Sequence, residues 1–231
     1  MLATPEEVEK YMQAALREAR DAKIIGEVPI GAVIVHDGKI IARGHNMREH
    51  SQNGMHHAEI LAIQEACLVE HTWRLEDCEL FVTLEPCPMC AGAMINSRIA
   101  NCYWGAADPK AGAAGSIVNL LTDTRFNHQV GSIGGVLAED SANLLQDFFQ
   151  QIRAKRKAAK QAAKDARAVA SNDAEAGVIA EDPSDDVDAR IIQTDPEKEV
   201  TGLAALELAA KAAERREAKQ AASASQPEPK D

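Results

Sequence analysis

Aromatic residues are scarce in this sequence: they form 3% of its 231 residues, and all of them lie before residue 150. A region with no aromatic and few branched apolar side chains buries too little surface to offset the entropy lost on folding. We therefore expect one folded domain at residues 1–168 and a disordered, acidic, Ala-rich C-terminal extension at residues 169–231. Within that extension, the stretch TGLAALELAAKAAERREAKQ has the composition of a transient helix.

Two further absences bear on where the protein works. No run approaches the roughly 20 apolar residues that a membrane-spanning helix needs, and no apolar signal stands at the N-terminus. The cysteines number five, an odd count without the spacing of a disulfide framework. These absences favour a soluble, cytoplasmic protein in which Cys67, Cys78 and Cys102 are small core side chains.

The acidic net charge of −11 is unevenly distributed along the chain. Residues 1–150 carry a net charge of −9, residues 151–170 of +6 and residues 171–231 of −8. A local basic segment, and not the total charge, is what a phosphate backbone meets. Four side chains of this segment are therefore candidates for phosphate contacts: Arg153, Lys155, Arg156 and Lys157. The alternative is a solvated helix end, where the helix dipole favours cations.

The apolar pattern predicts alternating strands and helices. Thr4-Pro5-Glu6-Glu7 is typical of a capped helix start, and helical spacing continues to about Ile25. The stretch GAVIVHDGKIIARG predicts two antiparallel strands joined by a tight turn at Asp37-Gly38. The later segments predict a helix, a strand, a helix, a strand, a weak strand and a long helix: HAEILAIQEACLVE, CELFVTLE, CPMCAGAMINSR, IANCYWG, residues 129–136 and residues 138–168. This order implies an α/β sheet with helices on both faces.

One group of residues has the composition of a catalytic zinc site. A Cys-x-x-Cys pair alone is equally consistent with a redox motif, but His57 can add a nitrogen to the sulfurs of Cys87 and Cys90. Catalytic zinc takes three protein ligands and keeps one position open, whereas a structural site wants a fourth ligand that no second cysteine pair supplies here. Glu59 lies two residues after His57, where it can serve as proton shuttle for a zinc-activated water.

His57-Ala58-Glu59, followed by Pro86-Cys87-Pro88-Met89-Cys90, matches the H-x-E and P-C-x-x-C signature of zinc-dependent nucleobase deaminases. The stretches GEVPIGAVIV, GHN, TLEPCPMCAGAMINSRI and GAADPKAGAAGS are similar to those of bacterial tRNA-specific adenosine deaminases, over roughly residues 6–157. The resemblance implies a three-layer α/β/α cytidine-deaminase-like fold with a central mixed five-stranded sheet. It also implies hydrolytic deamination of the wobble adenosine of a tRNA anticodon loop to inosine.

The same resemblance implies roles for individual residues. The implied ligands of one Zn²⁺ per subunit are His57, Cys87 and Cys90. The implied proton shuttle is Glu59. The implied substrate-binding residues are Asn46, Ala58 through its N–H, Asp108 and Lys110. The family is also homodimeric and binds tRNA, so both properties are expected of this chain.

Three alternatives remain open at this point. Asn46 is also typical of a turn, and Asp108 before Pro109 is typical of a turn start. A deaminase of a free base or nucleotide, such as guanine, cytosine or deoxycytidylate, would share the zinc ligands and Glu59. A zinc-containing RNA-binding protein without turnover would share the ligands but have no use for a carboxylate at position 59.

Overall fold

The computed structural model describes residues 3–171, with side chains through residue 164. The elements of this part of the chain are α1 (Pro5–Ile24), β1 (Gly31–His36), β2 (Lys39–His45), α2 (Ala58–Val69), β3 (Glu79–Leu84), α3 (Pro88–Asn96), β4 (Asn101–Ala106), β5 (Gly131–Ile133) and α4 (Ala138–Ser171). None of its helices is both long enough and apolar enough to cross a membrane. Of the C-terminal extension predicted for residues 169–231, residues 169–171 belong to α4 and the rest lies outside the described residues.

Local sequence accounts for the first helix and the hairpin as predicted. The Thr4 side chain accepts a hydrogen bond from the Glu7 N–H at 3.3 Å, and the Glu7 carboxylate accepts one from the Thr4 N–H at 2.9 Å. This reciprocal capping box starts α1. At the turn between β1 and β2, Asp37 and Gly38 have φ of 48° and 70°, the positive values that a two-residue hairpin turn requires.

The five strands form one mixed sheet in the order β2-β1-β3-β4-β5. β1 pairs antiparallel with β2 and with β3, while β3, β4 and β5 run parallel. The predicted mixed five-stranded sheet is therefore confirmed. β5 is shorter than the predicted range 129–136, because Gly134 packs against the ring of Trp104 and Gly135 takes a φ of 84°, which turns the chain out of the strand.

Helices cover both faces of the sheet, which confirms the three-layer arrangement. Alternate strand residues face opposite sides: Ile34 and Val82 pack with α2 and α3, whereas Val33 and Phe81 pack with α1. α4 packs against β4, β3 and α1, so it shares the α1 face. The expected burial of lone cysteines is confirmed for Cys78 and Cys102, while Cys67 is half-buried.

Topology brings four chain segments to one edge of the sheet. The end of β3 pairs with the end of β4 (Leu84 with Ala106), so the segments that follow both strands leave at the same edge. β1 is antiparallel to β3, and its first residue pairs with the last residue of β2, so the segment before β1 and the segment after β2 lie at that edge too. Ligand sites of α/β proteins form at the carboxyl ends of parallel strands. We call this edge the site edge.

Candidate metal centre and active site

Two helix N-termini meet at the site edge. His57 is the N-cap of α2 and Cys87 is the N-cap of α3, both in extended backbone conformation. Neither side chain caps its own helix, so both side chains remain available as ligands. Pro88 occupies the first position of α3, where a missing N–H costs least. The N-terminal end of a helix dipole favours anions, which here stabilises thiolates.

The three predicted ligands come together. His57 Nδ1 lies 3.7 Å from Cys87 Sγ and 3.6 Å from Cys90 Sγ, and the two sulfurs are 3.6 Å apart. Tetrahedral zinc with bonds of about 2.3 Å to sulfur and 2.0–2.1 Å to nitrogen requires S···S of about 3.8 Å and S···N of about 3.6 Å. The donor set therefore fits zinc. Both cysteines are free, at a separation far beyond the roughly 2.05 Å of a disulfide.

The three ligand groups share hydrogen bonds with one another, so protons and a cation would compete for them. Hydrogen bonding to Cys90 lowers the pKa of the Cys87 thiol to about 4, and hydrogen bonding to His57 acts in the same direction. Hydrogen bonding to Cys87 raises the pKa of His57. The pKa of Cys90 is raised by hydrogen bonding to Cys87 and by burial. A bound metal would displace the proton that the two thiols share.

Glu59 is a buried carboxyl group beside these ligands. It lies in the first turn of α2, two residues after His57, and only 4% of its surface is exposed. Burial raises its pKa, while hydrogen bonds to its own backbone N–H and to Cys90 oppose that shift. A carboxyl group with a raised pKa exchanges protons more readily near neutral pH than an exposed glutamate does.

Asn46 and Ala58 both lie at the site edge. The Asn46 side chain is buried and donates from Nδ2 to Glu27 Oε2 at 2.9 Å. Ala58 is the first residue of α2, where a backbone N–H has no acceptor within the helix. Gly44 packs closely against this first turn, because a Cβ added to Gly44 would lie 2.3 Å from the Ala58 oxygen.

Asp108 and Lys110 lie in the segment that follows β4. Asp108 is buried, and its Oδ1 accepts hydrogen bonds from the N–H groups of Lys110 at 2.9 Å and Ala111 at 3.1 Å. The side chain therefore organises a turn, which is the structural role that its sequence context also predicted. Lys110 is exposed.

Two buried carboxylates at the site edge were not predicted from the sequence. Glu27 binds Asn46 and the N–H of His50, and Glu85 accepts hydrogen bonds from the segment after β4. Their sequence signal is a single charge next to an apolar run, in GEVPIG and TLEPC. That pattern does not distinguish a solvated strand end from a buried carboxylate with several donors.

The four predicted phosphate-binding side chains are not part of this cluster. Arg153, Lys155, Arg156 and Lys157 are exposed on α4. α4 packs on the α1 face of the sheet, whereas α2 and α3 pack on the other face. The basic side chains therefore belong to a helix on the opposite side of the sheet from the ligand-bearing helices.

Comparison with known proteins identifies the family. A sequence profile of the MafB19-like deaminases matches residues 6–153. The tRNA-specific adenosine deaminase of Bacillus subtilis is 53% identical over 152 residues, which span 66% of this chain and 94% of that protein. This chain belongs to the tRNA-specific adenosine deaminase family. The tRNA-specific adenosine deaminase of Aquifex aeolicus is 45% identical over 145 residues, 63% of this chain and 95% of that protein.

One solved structure supports this tRNA-specific adenosine deaminase assignment, and a second shares its fold. A structure from work on A-to-I editing by tRNA:A34 deaminases at the wobble position has 43% identity and a TM-score of 0.57, and the match covers 59% of this chain and 99% of that chain. A guanine deaminase from Nitrosomonas europaea has 25% identity and a TM-score of 0.55, over 64% of this chain and 86% of that chain. The family and fold predicted from the motifs are thereby confirmed.

Proposed function

We propose that this protein hydrolyses the wobble adenosine of a tRNA anticodon loop to inosine and ammonia. The observation that carries the proposal is a buried carboxyl group, Glu59, beside a His-Cys-Cys set whose spacing fits zinc. The relatives at 45–53% identity, named for the same activity, support the choice of substrate.

His57, Cys87 and Cys90 would hold one Zn²⁺ per subunit. When bound, zinc supplies a Lewis acid that lowers the pKa of water from about 15.7 toward neutrality. The chain's contribution is to hold one imidazole and two sulfurs within 3.6–3.7 Å of one another. Both N-cap positions fix the ligands to helix ends, so the set is preorganised.

Glu59 would move the protons of the reaction. Its carboxylate takes a proton from the attacking water, delivers one to N1 of adenine, and carries the second to the amine that leaves C6. Water supplies the oxygen of inosine, and ammonia takes the amine nitrogen. Burial shields the Glu59 carboxyl group from bulk solvent.

The substrate would be held by groups from two of the segments at the site edge, the one after β2 and the one after β4. Asn46 and the Ala58 N–H offer hydrogen bonds to the edge of a flipped base, and Asp108 and Lys110 lie where its neighbouring nucleotides would pass. Glu27 holds Asn46 by its Nδ2 group, which leaves the Asn46 oxygen as the acceptor for a base N–H. The bases of an anticodon loop are single-stranded, so the adenine can unstack and reach these groups at a low cost in free energy.

The remaining expectations concern RNA backbone, assembly and location. We propose that Arg153, Lys155, Arg156 and Lys157 contact tRNA phosphates, so raising the salt concentration should weaken tRNA binding. We propose a homodimer, because the family resemblance implies one, and a cytoplasmic location, because the proposed substrate is a tRNA. We also propose residues 1–168 as the zinc-dependent deaminase domain.

The test of the proposed function is inosine formation. Zinc-loaded protein is incubated with an anticodon stem-loop that carries adenosine at the wobble position, and inosine is read by nucleoside mass spectrometry. The matched control has guanosine at that position and an adenosine elsewhere in the loop. Inosine only at the wobble position supports the proposal, and its absence from a fully zinc-loaded sample contradicts it.

The likeness to a guanine deaminase gives a second candidate, deamination of a free base or nucleotide. It predicts ammonia release from free guanine, cytosine or deoxycytidylate, with no inosine in stem-loops. A zinc-containing RNA-binding protein without turnover is the third reading. It predicts stem-loop binding with no ammonia from any of these substrates, and unchanged RNA affinity when Glu59 is replaced.

A further inference from the structure

Glu85 lies between β3 and the ligand Cys87, and it is 2% exposed. Its Oε1 accepts hydrogen bonds from the N–H groups of Ala114 at 3.1 Å and Ser116 at 2.9 Å. Its Oε2 accepts one from the Asp108 N–H at 3.0 Å and another from the Ser116 hydroxyl. One carboxylate therefore satisfies four donors of the segment after β4.

The segment wraps closely around this carboxylate. A Cβ added to Gly112 would lie 2.3 Å from Glu85 Oε2, so only glycine allows the chain to pass there. The Ala113 N–H donates to the Pro86 oxygen at 2.8 Å, and the Glu85 N–H donates to the Ala106 oxygen at 2.8 Å. We call residues 107–118 the Glu85-bound loop, because its backbone is arranged around this one side chain.

We propose that Glu85 is a positioning residue that fixes the Glu85-bound loop, and with it Asp108 and Lys110, relative to the ligand helix α3. The role rests on the proposed function, since it concerns the loop that would hold substrate. The chain geometry explains how it works. Glu85 is two residues from Cys87 and accepts a hydrogen bond from the Asp108 N–H. It therefore connects the Glu85-bound loop to the segment that carries the ligand Cys87.

The geometry of the anchor requires two acceptor oxygens on one side chain. Each carboxylate oxygen accepts two hydrogen bonds in this arrangement, and glutamine offers only one such oxygen. The amide NH₂ of glutamine would face two further donors, which leaves those donors buried without an acceptor. Hydrogen bonds to charged groups are also the stronger ones. Glu85→Gln should therefore loosen the loop while leaving the zinc ligands and Glu59 in place.

The test compares zinc-loaded, full-length Glu85→Gln and Glu79→Gln with the wild type. Glu79 is the matched control: it is a buried carboxylate at the other end of β3, bound by Asn101 and Tyr103 and remote from the site edge. The readouts are zinc content, amide hydrogen exchange of a peptide spanning residues 107–118, and KM and kcat on the anticodon stem-loop.

Glu85→Gln is expected to keep one zinc per chain and to speed hydrogen exchange of the loop about tenfold. KM should rise by a similar factor while kcat falls less, because the loop binds substrate and the reacting groups lie elsewhere. Glu79→Gln should leave loop exchange and KM unchanged. Ser116→Ala removes the hydroxyl donor and should speed hydrogen exchange of the Glu85-bound loop about fivefold. This variant tests the proposal if Glu85→Gln does not fold.

The outcomes separate this proposal from the proposed function. Unchanged loop exchange and unchanged KM in Glu85→Gln would overturn the positioning role, as would equal changes in Glu79→Gln. If the wild type makes no inosine but Glu85→Gln still speeds exchange only in residues 107–118, the proposed function fails and the loop anchor stands.

Discussion

The contact between β2 and the first turn of α2 gives a sharp prediction, for Gly44→Ala. The added Cβ would lie 2.3 Å from the Ala58 oxygen and 2.8 Å from the Ala62 nitrogen. Ordinary contacts of carbon need about 3.5 Å, so α2 must move by roughly 1 Å. Overpacking of this kind costs about 1–3 kcal/mol of unfolding free energy. His57 and Glu59 belong to the start of α2 and would move with it. A displacement of about 1 Å in these groups should lower kcat about 100-fold.

The assay for Gly44→Ala measures urea unfolding and, well below the unfolding midpoint, kcat on the stem-loop. The control is Gly131→Ala, whose Cβ would lie 2.2 Å from Asn101 Oδ1 in β4, at the edge of the sheet opposite the site edge. We expect the control to lose stability and to keep its kcat. A Gly44→Ala protein with normal kcat would refute the reasoning that β2 sets the position of α2.

Three further predictions follow from the ligands, the surface and the extension. Cys87→Ala or Cys90→Ala should lose zinc and turnover together, because two remaining ligands hold zinc poorly; a full zinc complement by metal analysis would remove that cysteine from the site. Hydrogen bonding to Glu70 raises the pKa of His36, so this pair contributes stability below pH 6.5 that is lost as pH rises through the raised pKa. Glu70→Gln should therefore cost about 0.2–1 kcal/mol at pH 5.5 and little at pH 9 by urea unfolding, and an equal cost at both values would contradict the pairing. Deletion after Ala168 should leave stem-loop turnover unchanged, and a large loss would show that the extension takes part.

The sequence predicted the ligand set because its residue types are rare and chemically specific. A histidine, a Cys-x-x-Cys pair and a glutamate two residues after the histidine leave few alternatives. In the structure, His57 and Cys87 are the N-caps of α2 and α3. The strands could also be predicted from the sequence, because their apolar runs are bounded by turn residues. β5 was the weakest prediction and proved the shortest strand, because Gly134 and Gly135 end it early.

The buried carboxylates could not be predicted in the same way. Glu27 and Glu85 are held by donors that lie about 20 to 30 residues away along the chain, and only the folded topology brings those donors together. Asp108 illustrates the same limit, because its two readings, turn residue and substrate contact, are compatible. The structure shows the turn contacts directly, and substrate contact remains a proposal.

The most direct test of the central claim is zinc content and turnover measured on one sample of Glu59→Gln. The substitution keeps the size of a buried side chain and removes its capacity to carry protons. The account predicts one zinc per chain, unimpaired stem-loop binding and a loss of kcat of about 10²–10⁴-fold. Glu59→Gln protein that retained zinc and still produced inosine at the wild-type rate would contradict it.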